Sequence, residues 1–560
     1  MSDHLPSPAT TTVRGIDYKA AFPFVHLFKG FRLAIDPSKL VLALALLLLV
    51  YTGGRLMDAI WPDKHRAVQN ELDNYAARRV SLPSDRTNRA DRVNTEAAFA
   101  RDREAQIADR TTGIQATLLS LGKPKYDADY DGLVRAYSER RDATVAELDK
   151  SYNALQTKTA DAEKVYNEER QAAYAAYASD VQLAKRYDSE GLFIHFLRFE
   201  VDRIDAIVLS AVNLNVPGVF AGLGDFFLTA PAWAFRHHPL YFTLFFAGLL
   251  LLWSIFGGAI SRIAAVQVAR DEKISLRQAL RFSTGKVLSF IFAPLIPVII
   301  IAVLALVLAV ASVLISVPGI SGIWSVLIGI VFFLALLAGL VMMLTAVGLI
   351  GGGHLMYPTI AAEGSDSFDA VSRSFSYLYA RPWQLGFYSL IALVYGAITF
   401  LFVRLALYVL LLLVHGSISL LQWGQARDGT PIIDAMWPRP NNFMTLSFET
   451  HYAALGPVQA AGAGLISFWV YLAISLLGAY VISLYLCSGT LVYFLLRRDV
   501  DATEMDEVYL EPNDEELTET ATETTSTDTP AVVATGTTAE PAGQPVDVPA
   551  PPEGERPANG

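Results

Sequence analysis

The sequence predicts an all-α integral membrane protein: a bundle of about six spans, an extracytoplasmic coiled-coil-like helical hairpin and a disordered C-terminal tail. Three observations support this fold class. Six long apolar stretches alternate with polar loops, and about 20 apolar residues suffice to cross a bilayer. A long region rich in Ala, Glu and Arg follows the first stretch. The chain ends in a run rich in Thr, Pro and acidic residues.

The composition requires segments with different environments. The 560 residues are 53% hydrophobic and 18% charged, which is too apolar for one soluble domain and too charged for a bare membrane bundle. From Asp499 onward, sixteen acidic residues and one arginine give −15 of the total charge of −11. The remaining +4 argues against a nucleic-acid-binding surface. The single cysteine, Cys487, excludes an intramolecular disulfide and a cysteine-based metal site within one chain.

The N-terminal part predicts a cytoplasmic, partly amphipathic leader over residues 1–38 and a first transmembrane span over 39–61. The end of the leader mixes phenylalanines with Lys29 and Arg32, which suits a helix along the membrane surface or a short packed helix. The apolar run of the span also suits a signal peptide. Because the polar leader is long and no small-x-small cleavage site follows, we interpret the run as an uncleaved anchor.

Residues 62–190 predict an extracytoplasmic helical region. The stretch 133–187 contains neither proline nor glycine, and a series of positions from Leu148 to Ala176 alternates steps of four and three. This spacing keeps one seam of a helix facing a partner helix. We therefore predict one long helix over 133–187, which pairs with residues 89–121 folded back as an antiparallel hairpin, or with a second copy of the chain.

The rest of the chain predicts a five-span membrane domain with flanking segments. Residues 191–239 mix phenylalanines with charged side chains and predict an interfacial amphipathic segment. Residues 498–560 are acidic and rich in Thr and Pro, and they predict a disordered tail because they cannot bury enough apolar surface. The domain itself covers 240–497. Its predicted spans are about 240–260, 288–317, 323–350, 385–414 and 462–496.

The distribution of basic residues predicts the orientation. Residues 261–286 contain six Lys or Arg, whereas the longer loop 415–461 contains only Arg427 and Arg439. Basic loops stay in the cytoplasm, so both termini and the loop 261–286 are predicted to be cytoplasmic. The helical region 62–190 then lies outside. The predicted partners include membrane lipids and exclude nucleic acid.

Two loops on the predicted cytoplasmic side are alike. Residues 270–280 and 362–371 each contain an acidic or glycine turn, a Ser or Asp suited to cap a helix, and a short amphipathic helix. We predict that Ser275, Glu363 and Asp366 are the cap or turn residues of two cytoplasmic elbows that return the chain to the bilayer. The likeness indicates a duplicated unit or a coincidence.

Two motifs resemble known families. The second elbow contains PTIAAEG at 358–364 and RPW at 381–383, and it resembles the membrane domain attached to some glycerophosphodiester phosphodiesterases. The run 493–508 reads YFLLRRDVDATEMDEV and resembles uncharacterised planctomycete membrane proteins. The resemblances cover about the C-terminal half and imply a multi-pass protein of the bacterial cytoplasmic (inner) membrane. The phosphodiesterase's soluble catalytic domain has no counterpart in the sequence, so its activity is not carried over.

Arg404 is the candidate binding residue inside a span. A charge near mid-bilayer costs at least ~2.5–3.5 kcal/mol, which favours contact with an anionic substrate or a lipid headgroup. The alternative is that the side chain reaches the nearby interface. The pair His237-His238 is interpreted as interfacial rather than metal-binding, because no further ligand is suitably spaced. Hydrolase, zinc-protease and ATPase motifs are absent, so we predict no catalytic, cofactor-binding or metal-binding residues and no cofactor.

Two functions compete. The size of the helical region favours a structural or interaction scaffold that presents its hairpin to a partner, with protein binding or self-association through 133–187. The alternative is a transporter or permease for an anionic or lipid-like substrate, supported by the two elbows and Arg404. Against it, the spans contain almost no ionisable residues, whereas ion-coupled carriers place carboxylates at mid-membrane. An enzyme acting on lipids ranks third, and we predict the scaffold and not an enzyme.

Overall fold

The fold is entirely helical, as predicted. The computed structural model is 83% helical, and no strand occurs among its described residues. The predicted tail, from residue 511 onward, and the leader before residue 22 lie outside these residues. The structure describes residues 22–62, 66–68, 70–80, 89–187, 191–317, 321–441, 443 and 446–510.

Long apolar helices are connected by shorter, more polar ones. In chain order the helices are α1 (Gly30–Ala34), α2 (Pro37–Ile60), α3 (Glu71–Val80), α4 (Arg89–Ser120), α5 (Tyr130–Asn153), α6 (Ala160–Ala184), α7 (Leu192–Val212), α8 (Val216–His237), α9 (Pro239–Arg270), α10 (Leu276–Gly285), α11 (Val287–Ser316), α12 (Ser321–Ile330), α13 (Phe332–Glu363), α14 (Ser367–Ala380), α15 (Pro382–Ser419), α16 (Ile432–Met436) and α17 (Pro457–Asp501). Among the described residues, seven helices are long and apolar enough to cross a bilayer, which makes this a multi-pass membrane protein. They are α2, α8, α9, α11, α13, α15 and α17.

Helix α8 was not predicted as a span, and its packing shows that it adds no net crossing. It lies antiparallel to α7, where Arg203 Nη1 is 3.4 Å from Asp225 Oδ2. At the open end of this α7–α8 hairpin, the N–H of Phe193 and the hydroxyl of Tyr241 both donate to Asp58 at the end of α2. The hairpin therefore begins and ends at one end of the bundle. Six candidate spans remain besides α8, and α7 and α8 together lie within residues 191–239, the segment predicted to be interfacial.

The two ends of the bundle carry different structures. The elbow end carries α10 and α14, the helices of the two elbows. The opposite end, called the hairpin end, carries α3 to α8 and the loop 420–456. Contacts between these parts define that end: Lys185 Nζ lies 2.8 Å from a Glu449 carboxylate oxygen, and the Arg427 guanidinium lies 4.8 Å from the ring centroid of Tyr174.

The prediction of one helix over 133–187 is wrong. The chain reverses between α5 and α6, and these two helices pair with each other: the rings of Tyr152 and Tyr166 stack with centroids 4.5 Å apart. The reversal contains neither glycine nor proline. Instead Thr159, which the heptad pattern counted as a seam position, accepts a hydrogen bond from the N–H of Ala162 (3.2 Å) and caps α6. A capping side chain starts a new helix.

The predicted pairing with residues 89–121 is also corrected. Within the α5–α6 hairpin, the described part of α4 contacts the base alone. There the C-terminal end of α4 takes part in a small apolar cluster. A helical hairpin is therefore present, but it forms within the predicted long helix, and a continuous heptad seam is not present. The buried members of the cluster are Ile114, Leu118, Leu133, Ala136 and Ala184.

The described part of the leader packs into the bundle. Phe31 makes edge contacts with Phe402 of α15 and Tyr480 of α17, with ring centroids 6.3 and 6.0 Å apart. The Ser483 hydroxyl donates to the carbonyl of Ala34 (2.8 Å). Of the two predicted alternatives, the short packed helix therefore describes this segment. Phe31 lies in the groove between two spans, whereas Phe22 and Phe28 remain 48% and 47% exposed.

The C-terminal boundary of the membrane domain lies later than predicted. Helix α17 continues to Asp501, whose carboxylate accepts a hydrogen bond from the Tyr377 hydroxyl. Met505 and Val508 pack against the buried core of the bundle. The predicted start of the disordered tail at residue 498 is therefore too early, and the packed chain extends to Val508.

Candidate functional site

The α5–α6 hairpin is braced at its base. The Arg141 guanidinium lies 4.4 Å from the ring centroid of Tyr177, and Arg140 pairs with Asp180 across the two helices. The contacts with the loop 420–456 hold the same part of the hairpin from outside. A base fixed on both sides keeps the direction of the two helices constant.

The tip of the hairpin, residues 142–170, stands clear of the rest of the chain. Every residue in it is exposed or half-exposed. Each arm contains about twelve residues, which corresponds to roughly 18 Å of helix. Seven acidic and four basic residues give the tip a charge of −3. The Tyr166 hydroxyl donates to Asp149 (2.5 Å), a bond that raises the pKa of Tyr166 and joins the arms.

Glu71 fastens the hairpin end to the bundle. This carboxylate is 1% exposed, accepts hydrogen bonds from the Trp233 indole (3.2 Å) and the N–H of Val68 (2.9 Å), and lies 3.2 Å from Arg103 Nε and 3.4 Å from His238 Nε2. Burial by itself raises the pKa of Glu71, but the His238 hydrogen bond and the Arg103 charge outweigh burial and lower the pKa to about 2. Glu71 therefore stays ionised and joins α3 and α4 to α8 and to His238, the residue that immediately precedes the span α9.

Glu200 on α7 is a second buried glutamate at this end. It is 8% exposed, and within the described part of the chain its Oε2 has no hydrogen-bond partner. Burial raises its pKa to about 8; the Arg203 charge lowers the pKa and the Asp225 charge raises it. Glu200 is therefore largely protonated at neutral pH, so the interior of the α7–α8 hairpin holds no uncompensated charge there.

Arg404, the predicted candidate for an anionic ligand, is paired within the chain. It lies in α15 and is 4% exposed. Its guanidinium donates to Asp205 on α7 (2.8 Å) and to the Phe443 carbonyl (3.2 Å). Sequence reasoning missed this pair because Asp205 lies 199 residues earlier, in a segment assigned to the interface. The ion pair offers a structural reason for a charge in this helix.

The two predicted elbow caps are at the starts of the elbow helices. Ser275 Oγ accepts from the N–H of Gln278 (3.3 Å), and Gln278 Oε1 accepts from the N–H of Ser275 (3.1 Å). These reciprocal bonds form a capping box at the start of α10. Asp366 Oδ1 accepts from the N–H of Asp369 (2.9 Å) at the start of α14. In both elbows the cap satisfies an amide that the helix leaves unpaired.

Glu363, predicted as a cap or turn residue, has a different role. It is the last residue of α13, and its carboxylate lies 3.0 Å from Arg373 Nε and 3.4 Å from Arg497 Nε. The Tyr493 hydroxyl also donates to it. Glu363 therefore joins the second elbow to the last span. These partners could not be predicted from the sequence, because two of the three lie 130 or more residues away.

The elbow helices pack against glycines of the preceding spans. A Cβ at Gly258 would lie 2.6 Å from the Ser283 hydroxyl, and a Cβ at Gly352 would lie 3.1 Å from the Ser374 carbonyl oxygen. Both preceding helices, α9 and α13, are followed by a residue with left-handed backbone conformation, Asp271 and Gly364 respectively. The likeness of the two loops in sequence therefore corresponds to one construction used twice.

The polar clusters of the described residues join helices of the chain to one another. Their charged groups are bound by other groups of the same chain, and across the described ranges no three His, Cys, Asp or Glu side chains lie close enough together to hold a metal ion. The two family resemblances stay predictions. No family model, no curated protein and no solved structure matches this chain.

Proposed function

We propose that this protein is a membrane-anchored scaffold that presents the α5–α6 hairpin to a protein partner. The observation that carries this proposal is the contrast between the braced base of the hairpin and its exposed tip. A preorganised helix pair loses little conformational freedom on binding, so a rigid arm is well suited to hold a partner. The net negative charge of the tip favours a partner with a basic surface.

The proposed orientation places the hairpin outside the bacterial cytoplasmic membrane and both termini inside. Its support is the positive-inside rule, applied to the elbow end. Residues 261–286 at that end contain six Lys or Arg, and the loop 420–456 at the hairpin end contains two. The region 62–190 is too long for its own charge to determine its side.

The pairing of Arg404 with Asp205 favours the scaffold over transport. The transporter alternative was supported by the two elbows and by Arg404 as a contact for an anionic substrate. A substrate at this position would have to displace Asp205 from the Arg404 side chain, which is 5% exposed, and breaking an ion pair that has a buried member is costly. We therefore propose no transport function.

In-cell photo-crosslinking tests the proposal. A photoreactive residue is placed in the tip at Glu147 or Glu168, and, as matched controls, at the exposed acidic positions Glu104 or Asp109 of α4. We expect one dominant adduct, identified by mass spectrometry as one protein species or as a second copy of this chain, from the tip positions alone. Charge reversal at the neighbouring Glu163 should reduce its yield.

The outcome depends on correctly inserted protein. A cysteine introduced at Leu155 should react with a membrane-impermeant thiol reagent in intact cells, since Cys487, the native cysteine, is buried. If tip positions that pass this check give no adduct, or only the adducts that the α4 positions give, the tip is not a docking site and the scaffold proposal is wrong.

A further inference from the structure

We propose that the first elbow binds the headgroups of anionic phospholipids through Arg270, Lys273, Arg277 and Arg281. This inference goes beyond the scaffold proposal and does not depend on it. It also holds for either orientation of the bundle, because it concerns the boundary between the elbow end and the bilayer.

One side of α10 is fixed against the bundle. The Ser283 hydroxyl donates to the Ser254 carbonyl of α9 (2.9 Å), and the ring of Phe282 is buried beneath the Arg262 guanidinium, 4.4 Å from its centroid. Ala279 is buried on the same side. The helix therefore cannot rotate about its axis without breaking these contacts, and its opposite side is permanently exposed.

The exposed side of α10 is basic. Arg277 and Arg281 are both exposed and are four residues apart, so they are neighbours on one side of the helix. Arg270 ends α9 and Lys273 lies in the turn that leads into α10, and both are also exposed. Four positive charges, against the two carboxylates of Asp271 and Glu272 in that turn, are thus concentrated at one short helix that lies beside a membrane span.

The second elbow contains an arginine whose charge is neutralised by carboxylates of the same chain. Arg373 of α14 lies 3.0 Å from carboxylate oxygens of both Glu363 and Asp369. By contrast, among the described residues no carboxylate lies within ion-pair distance of Arg270 or Arg277. Lys273 lies 3.6 Å from the buried carboxylate of Asp36, while its own side chain stays 74% exposed. Arg270 and Arg277 therefore keep their charge available for an external anion.

The position of the elbow identifies the anion. Leu288 and Phe292 at the start of α11 are 65% and 44% exposed, and α11 is the most apolar of the candidate spans. The apolar surface thus begins within seven residues of Arg281. Basic side chains at the edge of a lipid-facing apolar surface lie at the height of the headgroups, where each Lys or Arg contributes about 1 kcal/mol of attraction to an anionic surface.

Lipid binding by the purified full chain tests the inference. Affinities for phosphatidylglycerol and phosphatidylcholine are measured by native mass spectrometry on detergent-solubilised protein. We expect the parent to bind phosphatidylglycerol more tightly. Because about 1 kcal/mol per arginine corresponds to roughly fivefold, the variant Arg277→Gln/Arg281→Gln should bind it at least tenfold more weakly. Arg277→Lys/Arg281→Lys should retain the affinity within about threefold, because the charge is kept.

Two controls make the result decisive. Lys150→Gln/Lys164→Gln removes the same charge from the tip of the α5–α6 hairpin and should not change lipid binding. In the parent, raising the ionic strength should weaken phosphatidylglycerol binding, because salt screens exposed charges. The inference is wrong if the Gln variant of the elbow binds like the parent, if the control loses as much, if salt has no effect, or if millimolar inorganic phosphate displaces the lipid.

Discussion

Two glutamates, Glu71 at the hairpin end and Glu363 at the elbow end, hold different kinds of structure together. Each is bound by arginine and by an aromatic side chain that donates a hydrogen bond, Trp233 for Glu71 and Tyr493 for Glu363. The partners of Glu71 join extramembrane helices to the bundle, whereas the partners of Glu363 join two parts of the bundle itself. The comparison indicates that the extramembrane helices can detach while the six-span bundle stays folded.

The largest expected effect is that of Glu71→Gln. Glutamine keeps the shape of the side chain but leaves Arg103 and His238 without a negative charge. Breaking a buried ion pair costs about 3 kcal/mol, and we expect this loss to appear as faster proteolysis and hydrogen exchange of α3 and α4, with unchanged protection of the spans. The exposed Glu104→Gln on α4 is the matched control. Equal protection of α4 in the variant and the parent would contradict this role.

The pH dependence of the same contact has a defined sign. The pKa of Glu71 is lowered in the folded protein, from 4.5 to about 2. The carboxylate therefore contributes stability above about pH 4.5, and the contribution is lost as the pH falls from 4.5 toward 2. Protection of α4 in the parent should decrease over this interval, and Glu71→Gln should remove that part of the decrease.

A smaller effect is expected for Glu363→Gln. Its arginines keep other partners: Arg373 retains Asp369 at 3.0 Å, and Arg497 retains Glu507 at 3.7 Å. Losing hydrogen bonds to one charged group costs about 2 kcal/mol. We expect a lower midpoint of thermal unfolding for the whole bundle, measured on the full chain. Glu272→Gln, an exposed change in the first elbow, is the control. A selective loss of α4 protection would reverse the comparison between the two ends.

What the sequence predicted correctly is local. The first span was predicted at 39–61 and is found at Pro37–Ile60. A membrane-spanning helix can be predicted in this way because its signal is the apolar character of its own consecutive residues. The caps Ser275 and Asp366 were predicted from neighbouring residues that lie in the same turn of helix. The pair of Arg404 and Asp205 could not be predicted in this way, since its partners meet only when α7 folds onto α15.

The error in the helical region has a different origin. A heptad series contains information on residue spacing alone. The same spacing is found in one long helix and in two consecutive helices whose apolar positions continue the series across the turn between them. The reversal at Thr159 depends on a capping hydrogen bond and on the contacts of Tyr152 with Tyr166 across the turn. Glycine or proline would have indicated the turn, and neither is present. The cap at Thr159 is a local signal that the heptad interpretation did not take into account, and the contact of Tyr152 with Tyr166 forms only once the chain has reversed.

The smallest expected effect concerns the elbow caps, and it sharpens the contrast with Glu71. Ser275→Ala removes one cap, which typically costs about 1 kcal/mol, so hydrogen exchange of the first amides of α10 should be roughly fivefold faster. Ser275→Asp should restore protection, because a carboxylate caps equally well and also interacts favourably with the helix dipole. Since the packing of Phe282 and Ser283 holds the rest of α10, exchange elsewhere in the bundle should not change. If exchange increased throughout the elbow end, the first elbow would unfold as one unit with the bundle. The loss of one contact would then destabilise a whole end of the molecule at the elbow end as well as at the hairpin end.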